Sequence, residues 1–229
     1  ASKLFRENKG LKSLSQFSVT GNEVAWGTIG NASTSEGMFF ESINAAGVLQ
    51  VPMVISIWDD GYGISVPKNF QTTKGSISDA LKGLEKMEDT NGIRIYKLKA
   101  WDYAGLCQAF EEGIQRIRDT HVPVLFHVEE VTQPQGHSTS GSHERYKSPE
   151  RLEWEKEWDC IKKMKEWMMK VVREKVTMTQ APAMKQCMIE RSIMRRRRTQ
   201  RWNLFGCKAI GDCYLKPFGS LCSHIYRET

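Results

Sequence analysis

The feature that most constrains the fold is an alternation of short apolar runs with stretches of helical periodicity. Three runs predict buried strands, namely Glu23–Gly30, Val51–Trp58 and Val122–Val128. A fourth run, Ile93–Lys99, alternates polar and apolar residues as a strand does. Because strands that alternate with helices pair in parallel, the sequence predicts an α/β fold with a largely parallel sheet flanked by helices.

Apolar residues spaced at three and four fill the intervals between these runs. They predict helices over residues 36–50, 76–87 and 102–119. The first helix has a narrow apolar stripe that includes Phe39 and Phe40. Ser76 or Ser78 would cap the second helix and Asp102 the third, because short polar side chains accept from the free N–H groups of the first turn.

Polar clusters follow three of the predicted strands, namely Gly30–Gly37, Asp59–Gly63 and Gln133–His143. Ligands of open parallel sheets bind beyond the carboxyl ends of the strands, so we expect these loops to form one site. A strand-to-helix loop of small residues suits phosphate, and a carboxylate such as Asp60 beside it suits Mg²⁺. Each loop taken alone is equally typical of an ordinary turn.

These loops carry a resemblance to a known family. Gly30–Gly37, followed by Asp60 at 29 positions after Asn31, resembles the thiamine-diphosphate motif. Glu36–Ala46 and Gly136–Tyr146 resemble the α part of 2-oxo acid dehydrogenase first components, most closely the branched-chain type, including forms with fused α and β parts. The resemblance covers residues 1–168 and implies the thiamine-diphosphate-binding (diphosphate and metal) domain of that family.

The resemblance implies a ligand set for Mg²⁺ made of the side chains of Asn31 and Asp60 and the backbone carbonyl of Tyr62. His137 would face the cofactor diphosphate and help to transfer the acyl group to lipoamide, so it is the implied catalytic residue. The residues implied to bind the cofactor are Gly30, Ala32, Ser33, Glu36, Gly61, Tyr62 and His137.

The motif departs from the family pattern at three positions. Asn31 stands where the family has Asp, Asp60 stands where it has Asn, and Ala32 replaces the third glycine. The amide and the carboxylate have exchanged places, so the summed charge of the two ligands is unchanged. Ser138 matches a position that is phosphorylated in some relatives.

The function implied by the resemblance is oxidative decarboxylation of a branched-chain 2-oxo acid with acyl transfer to a lipoyl carrier. The implied partners are a β part or second thiamine domain and a lipoyl acyltransferase, and we expect a cytoplasmic location. A transketolase-like thiamine enzyme is the alternative within enzymes. The family's domain begins before the first predicted strand, so we expect the domain to be incomplete at its N-terminus, to melt with low cooperativity and to be inactive in isolation.

Charge and cysteine content divide the chain near residue 170. Residues 171–229 contain 12 basic and 4 acidic residues, whereas the rest contains 21 basic and 23 acidic residues. We therefore predict a domain over residues 1–168 and a basic tail over residues 169–229, with reduced cysteines throughout. The run Arg195–Arg198 makes nucleic-acid binding by the tail an alternative, and an out-of-frame translation of this segment is another. No apolar run is long enough to cross a membrane.

Overall fold

The computed structural model describes residues 1–8, 10–11, 16–137 and 141–176. The chain divides into two compact units, Ala1–Val171 and Val172–Thr229. The described helices are α1 (Ser2–Glu7), α2 (Gly37–Leu49), α3 (Ile77–Ala80), α4 (Tyr103–Thr120), α5 (Pro149–Glu157) and α6 (Cys160–Val176). The described strands are β1 (Ala25–Gly30), β2 (Met53–Trp58), β3 (Tyr62–Gly63), β4 (Val66–Pro67), β5 (Arg94–Lys99) and β6 (Val124–Glu129).

Four strands form one parallel sheet in the order β1-β2-β6-β5. The sheet and its helices confirm the predicted α/β fold. The register aligns Gly30, Trp58, Val128 and Leu98 across the sheet. The segments that follow these four residues therefore leave the sheet along one edge, where ligands of such sheets bind. β3 and β4 pair as a short antiparallel hairpin directly after β2.

Two apolar clusters form the core. Ile57 and Leu125 pack in one cluster with Phe39 and Ile43 of α2, while Val54 and Phe126 belong to the other. Side chains alternate between the two faces of a strand, so the clusters lie on opposite faces of the sheet. Leu106 and Ile117 of α4 belong to the second cluster. Helices therefore cover both faces, as expected for a parallel sheet.

The predicted helix over residues 76–87 is wrong in extent. Only Ile77–Ala80 is α-helical, and a 3₁₀ turn over Lys82–Leu84 follows it. The backbone of this segment bonds instead to Ile93, which directly precedes β5. Ile93 N–H donates to Leu84 O, and Lys86 N–H donates to Ile93 O, both at 2.9 Å. Ser76 is the N-cap residue but makes no side-chain cap bond.

The cap of α4 is as predicted. The Asp102 side chain accepts from Gly105 N–H at 3.0 Å, and the helix runs from Tyr103 to Thr120. A carboxylate at this position satisfies an N–H group that has no partner within the helix, which fixes where α4 begins.

β1 was expected to be buried and is instead mostly exposed. It is the edge strand of the sheet, and β2 is its only partner among the strands described here. Trp26 lies 6.0 Å from the Phe126 ring in a stacked arrangement but keeps 47 % of its surface exposed. Phe40, which was placed on the apolar stripe of α2, is also exposed because the helix turns it away from the sheet.

α1 is attached to the C-terminal ends of two longer helices. Lys3 Nζ donates to Leu49 O of α2 at 2.5 Å. Arg6 donates to Asp119 O of α4 at 3.2 Å and also to Arg118 O. Cations at these positions are favourable because the last carbonyl groups of a helix have no partner within it. Within the described parts of the chain, no helix is long and apolar enough to span a membrane.

Candidate functional site

The carboxyl ends of β1 and β2 carry two buried polar residues. Asn31 follows β1 and opens a 3₁₀ turn over Asn31–Ser35, while Asp60 follows β2. Asn31 is 3 % exposed and Asp60 is 5 % exposed. The Nδ2 atom of Asn31 and the Oδ2 atom of Asp60 are both buried without a hydrogen-bond partner. Buried polar atoms in proteins are nearly always satisfied, so two such atoms on adjacent strand ends indicate a ligand site.

The turn after β1 and the hairpin after β2 lie against each other. A Cβ atom placed on Gly63 would lie 2.8 Å from Ala32 Cβ and 2.3 Å from Gln71 Nε2. Only glycine allows so close an approach. The structure therefore brings the two predicted motif segments together, although 29 positions separate Asn31 from Asp60 in the sequence.

Asp60 has one engaged and one free carboxylate oxygen. Its Oδ1 accepts from Tyr62 N–H at 3.0 Å, and Gly61 between them has a φ of 84°. Its free Oδ2 lies 3.6 Å from His137 Nε2. Desolvation raises the pKa of Asp60 and outweighs the opposing effects of the Tyr62 N–H group and of the His137 and Lys147 charges.

The residues at this edge fit a magnesium ion. Mg²⁺ prefers oxygen ligands and is usually held by one or two carboxylates with additional oxygens. A cation bound here would give Asp60 Oδ2 the partner that it lacks. The carboxamide of Asn31 could present its oxygen to the same ion, because the two ends of an amide are assigned by their hydrogen bonds.

Asp59, which was predicted to belong to the polar cluster but was given no role of its own, anchors the hairpin. Its Oδ1 accepts from Gly61 N–H at 2.8 Å, and its Oδ2 accepts from Lys68 Nζ at 2.8 Å and from His127 Nε2 at 3.0 Å. Ser78 N–H donates to His127 Nδ1 at 3.3 Å, so the proton of the neutral ring is on Nε2, facing Asp59. These bonds outweigh desolvation and lower the pKa of Asp59 to about 2.

Asp59, His127 and Glu129 place ligand atoms within 4.8 Å of one another, in a geometry that could hold a metal ion. The Lys68 ammonium already neutralises Asp59, and His127 directs a proton rather than a lone pair at it. Glu129 is paired with two lysines of β5, at 3.5 and 3.4 Å. The carboxylates of this cluster are already paired with lysines, whereas Asp60 Oδ2 has no hydrogen-bond partner.

His137 lies at the same edge, and its side chain is 32 % exposed. The loop that carries it turns at Gly136, which has a φ of 66° and packs against His143. Ser138 lies outside the described residues, as do the four cysteines and the basic run of the predicted tail. Cys107 and Cys160, in the described domain, have reduced thiols.

The other residues implied to bind the cofactor fall into two groups. Gly61, Tyr62 and Ala32 are half-buried beside Asp60 and Asn31, and Gly30 ends β1 directly before them. Ser33 and Glu36 are exposed further along the turn. Across the described parts of the chain, no side-chain hydrogen bond joins either of these two to Asp60 or His137.

A second network, from α5, was also missed. Arg151 Nη2 donates to Asp60 O at 2.7 Å, and Arg151 Nε donates to Glu155 Oε1 at 2.8 Å. Lys147 Nζ donates to both carboxylate oxygens of Glu155 at 2.9 Å. The spacing of four between Arg151 and Glu155 is a sequence signal for an ion pair on one helix face. Nothing in the sequence pattern indicates the contact between Arg151 and Asp60.

A family model described as the dehydrogenase E1 component matches residues 13–190. The match extends past residue 168, where the resemblance read from the sequence ends.

Curated relatives match at low identity. The alpha subunit of the pyruvate dehydrogenase E1 component of Rickettsia bellii is 24 % identical over 140 residues, which are 61 % of this chain and 40 % of that subunit. The alpha subunit of the acetoin:2,6-dichlorophenolindophenol oxidoreductase of Bacillus subtilis is 28 % identical over 142 residues, 62 % of this chain and 40 % of that subunit. The mitochondrial 2-oxoisovalerate dehydrogenase subunit alpha 2 of Arabidopsis thaliana is 29 % identical over 126 residues, 55 % of this chain and 25 % of that subunit.

Proposed function

The chain belongs to the dehydrogenase E1 component family, and from this premise we propose that it supplies the diphosphate- and Mg²⁺-binding side of a thiamine-diphosphate-dependent 2-oxo acid dehydrogenase. The observation that carries the proposal is the pair of buried atoms without partners, Asn31 Nδ2 and Asp60 Oδ2, at adjacent strand ends. The cofactor, when bound, supplies the carbanion-stabilising chemistry that decarboxylation of a 2-oxo acid needs. The chain's own residues hold it in place.

Asn31 and Asp60 hold the metal ion through their side chains, and Tyr62 through its backbone carbonyl. The turn after β1 leads directly into α2, and the free N–H groups of a helix N-terminus favour a diphosphate. The diphosphate would lie beside the remaining cofactor residues, namely Gly30, Ala32, Ser33, Glu36 and Gly61. One carboxylate and one amide give the same ligand charge as the usual arrangement, so the exchange at positions 31 and 60 preserves the site.

His137 holds or moves a proton beside the metal ligands and assists acyl transfer to a lipoyl carrier. Support for this role comes from its place at the site, with Nε2 at 3.6 Å from Asp60 Oδ2. A histidine side chain changes its charge near neutral pH more readily than other side chains do. Its exposure of 32 % leaves the ring accessible to a carrier that approaches from solvent.

The substrate is a branched-chain 2-oxo acid, and the site is completed by a β part or second thiamine domain. The Arabidopsis relative is named for 2-oxoisovalerate, which supports this substrate class. The chain spans 40 % of the first relatives it matches, so we expect activity only together with its partners, which include a lipoyl acyltransferase. A cytoplasmic location stays a prediction.

Calorimetric titration of Mg²⁺ in the presence of thiamine diphosphate tests the proposal on the assembled complex. Saturable binding is expected for the native chain, and Asp60→Ala should abolish it. Exchanging the two ligands back, in Asn31→Asp/Asp60→Asn, should retain it because the oxygen set and charge are the same. Asp79→Asn is the matched control, because Asp79 is an exposed carboxylate whose side chain is 55 % accessible. Absence of saturable binding in the native complex, or unchanged binding in Asp60→Ala, would refute the proposal.

A further inference from the structure

Glu155 is a fully buried carboxylate on α5 that takes part in no predicted catalytic or binding step. It is 0 % exposed and accepts hydrogen bonds from Lys147 Nζ at both oxygens and from Arg151 Nε. Lys147 is itself 3 % exposed. Placing two opposite charges in the interior carries a desolvation cost that apolar residues of similar volume would avoid. The contacts made by its two cations, Arg151 and Lys147, indicate what the network does.

One cation of the network reaches the turn proposed to hold the metal. Arg151 Nη2 donates to the backbone carbonyl of Asp60 at 2.7 Å. Its guanidinium also lies over the Tyr62 ring, 5.6 Å from the centroid. Arg151 thus contacts the chain on both sides of Gly61, whose φ of 84° gives the turn its shape.

The other cation reaches the loop that carries His137. Lys147 Nζ donates to Gln133 O at 3.1 Å. The same carbonyl accepts from Gly136 N–H at 2.8 Å, which closes the tight turn directly before His137. Lys147 therefore fixes the base of that turn.

We propose that Glu155 is a positioning residue that holds the Asp60–Tyr62 turn and the loop bearing His137 in register, through Arg151 on one side and Lys147 on the other. This inference rests on the proposed function, because the relative position of the two segments matters only for the site proposed there. The separation of 3.6 Å between His137 Nε2 and Asp60 Oδ2 depends on both segments at once. A backbone bond from Val131 N–H to Asp59 O joins the bases of the two segments, and the network of Glu155 contacts both segments beyond that bond.

Hydrogen exchange of the full chain without ligand tests the proposal directly. Glu155→Gln keeps the shape of the side chain and removes the charge that orients both cations. We expect amide exchange to rise about tenfold or more in residues 59–63 and in residues 131–137 together, because hydrogen bonds to a charged partner are lost at both. Glu153→Gln is the matched control on the same helix, since the Glu153 side chain is 79 % exposed and pairs with the exposed Lys156 at 3.7 Å. It should change neither segment.

A second variant guards against general unfolding in Glu155→Gln. Arg151→Met keeps the aliphatic part of the side chain and leaves the pair of Lys147 and Glu155 intact. It should raise exchange in residues 59–63 and leave residues 131–137 unchanged, while β2 and β6 report that the sheet is folded. Equal exchange of native and Arg151→Met chains in residues 59–63, or a Glu155→Gln effect confined to α5, would overturn the proposal.

Addition of Mg²⁺ and thiamine diphosphate separates this inference from the proposed function. In the native chain the ligands should slow exchange in both segments, and in Glu155→Gln they should slow it in residues 59–63 alone. In the assembled complex, a native chain that shows no response to the ligands refutes the proposed function, whereas the comparison without ligand still decides the role of Glu155. If the ligands slow amide exchange in residues 131–137 equally in the native and Glu155→Gln chains, the positioning role is refuted.

Discussion

Replacing Asp59 by Asn should destabilise the sheet strongly even though the two side chains have the same shape. The Asn Oδ1 can still accept from Gly61 N–H, but an amide N–H₂ group would take the place of Oδ2. That group would face two donors, Lys68 Nζ and His127 Nε2–H. If the histidine reversed its tautomer to accept from the new amide, its Nδ1 proton would face Ser78 N–H at 3.3 Å and would have to bond to Ser78 Oγ at 3.0 Å instead.

The size of the effect follows from the pKa of Asp59. Its pKa falls from 3.8 to about 2, and each pKa unit corresponds to about 1.4 kcal/mol, so ionised Asp59 stabilises the folded chain by about 2.5 kcal/mol. Donors left buried without acceptors add to this, and breaking a buried ion pair typically costs about 3–5 kcal/mol. We expect Asp59→Asn to lower the free energy of unfolding by an amount in that range at pH 7.

Native-state hydrogen exchange in β2 and β6 measures this change without requiring a single cooperative transition. Exchange there should accelerate more than about a hundredfold. Because the folded-state pKa of Asp59 is lowered, its contribution is full above pH 4 and is lost as the pH falls through about 2. The difference between the two chains should therefore be constant from pH 5 to 7 and shrink below pH 4. A difference under about 1 kcal/mol at pH 7, or one that does not change with pH, would refute the reasoning.

Three further predictions concern other contacts. Asp60→Asn should stabilise the ligand-free chain, because burial raises the pKa of Asp60 and so makes its ionised form costly in the folded state. In thermal melts, the increase in stability should be small near pH 4 and should grow as the pH rises toward 7. Gly113→Ala should cost about 1–3 kcal/mol in urea unfolding because its Cβ would lie 2.5 Å from Phe126 Cζ, whereas Gly83→Ala, with open space around it, should cost under about 1 kcal/mol. Arg6→Met should cost about 1 kcal/mol and speed proteolytic removal of α1, because α1 would lose its bonds to the carbonyl groups that end α4.

The strands and the longer helices could be predicted because their signals are local. Continuous apolar runs marked β2 and β6, and the Asp102 cap together with a regular stripe marked α4. The segment after Ala80 could not be predicted in the same way. Its helical spacing is genuine, but the backbone groups of Leu84 and Lys86 bond to Ile93 instead of to their own helix. Such a pairing depends on where β5 lies, which local periodicity does not encode.

The exposure of β1 has a related cause. Its apolar composition is that of a buried strand, and it was predicted to be one. Burial depends on the position of a strand in the sheet order, and β1 lies at the edge. The composition of a strand does not distinguish a central position in the sheet from an edge position, so composition alone does not predict the exposure of β1.

The positions of the site were predictable because carboxyl ends of parallel strands share an edge. The partners within the site were not. Lys68 and Arg151 reach Asp59 and the Asp60 carbonyl across 9 and 91 positions of sequence, with no periodic relation between donor and acceptor. Glu155 is a charged residue on a largely polar helix and would be expected to be exposed, yet it is completely buried. Residue type and spacing locate a site, whereas its charge balance emerges only when distant segments fold against each other.

The adjacent carboxylates Asp59 and Asp60 show how this balance divides two identical side chains. Asp59 receives three donors and has a pKa near 2, so it is a permanent anion that neutralises Lys68 and holds the hairpin. Asp60 receives one hydrogen-bond donor, keeps Oδ2 without a hydrogen-bond partner at 3.6 Å from His137 Nε2, and has a raised pKa. An anion already satisfied by protein donors is a poor metal ligand, whereas one that burial leaves without a partner gains most from a cation. Environments that drive neighbouring pKa values apart typically mark a division of roles. We therefore propose Asp60, rather than Asp59, as the metal ligand, with the ion pair of Asp59 and Lys68 holding the hairpin beside it.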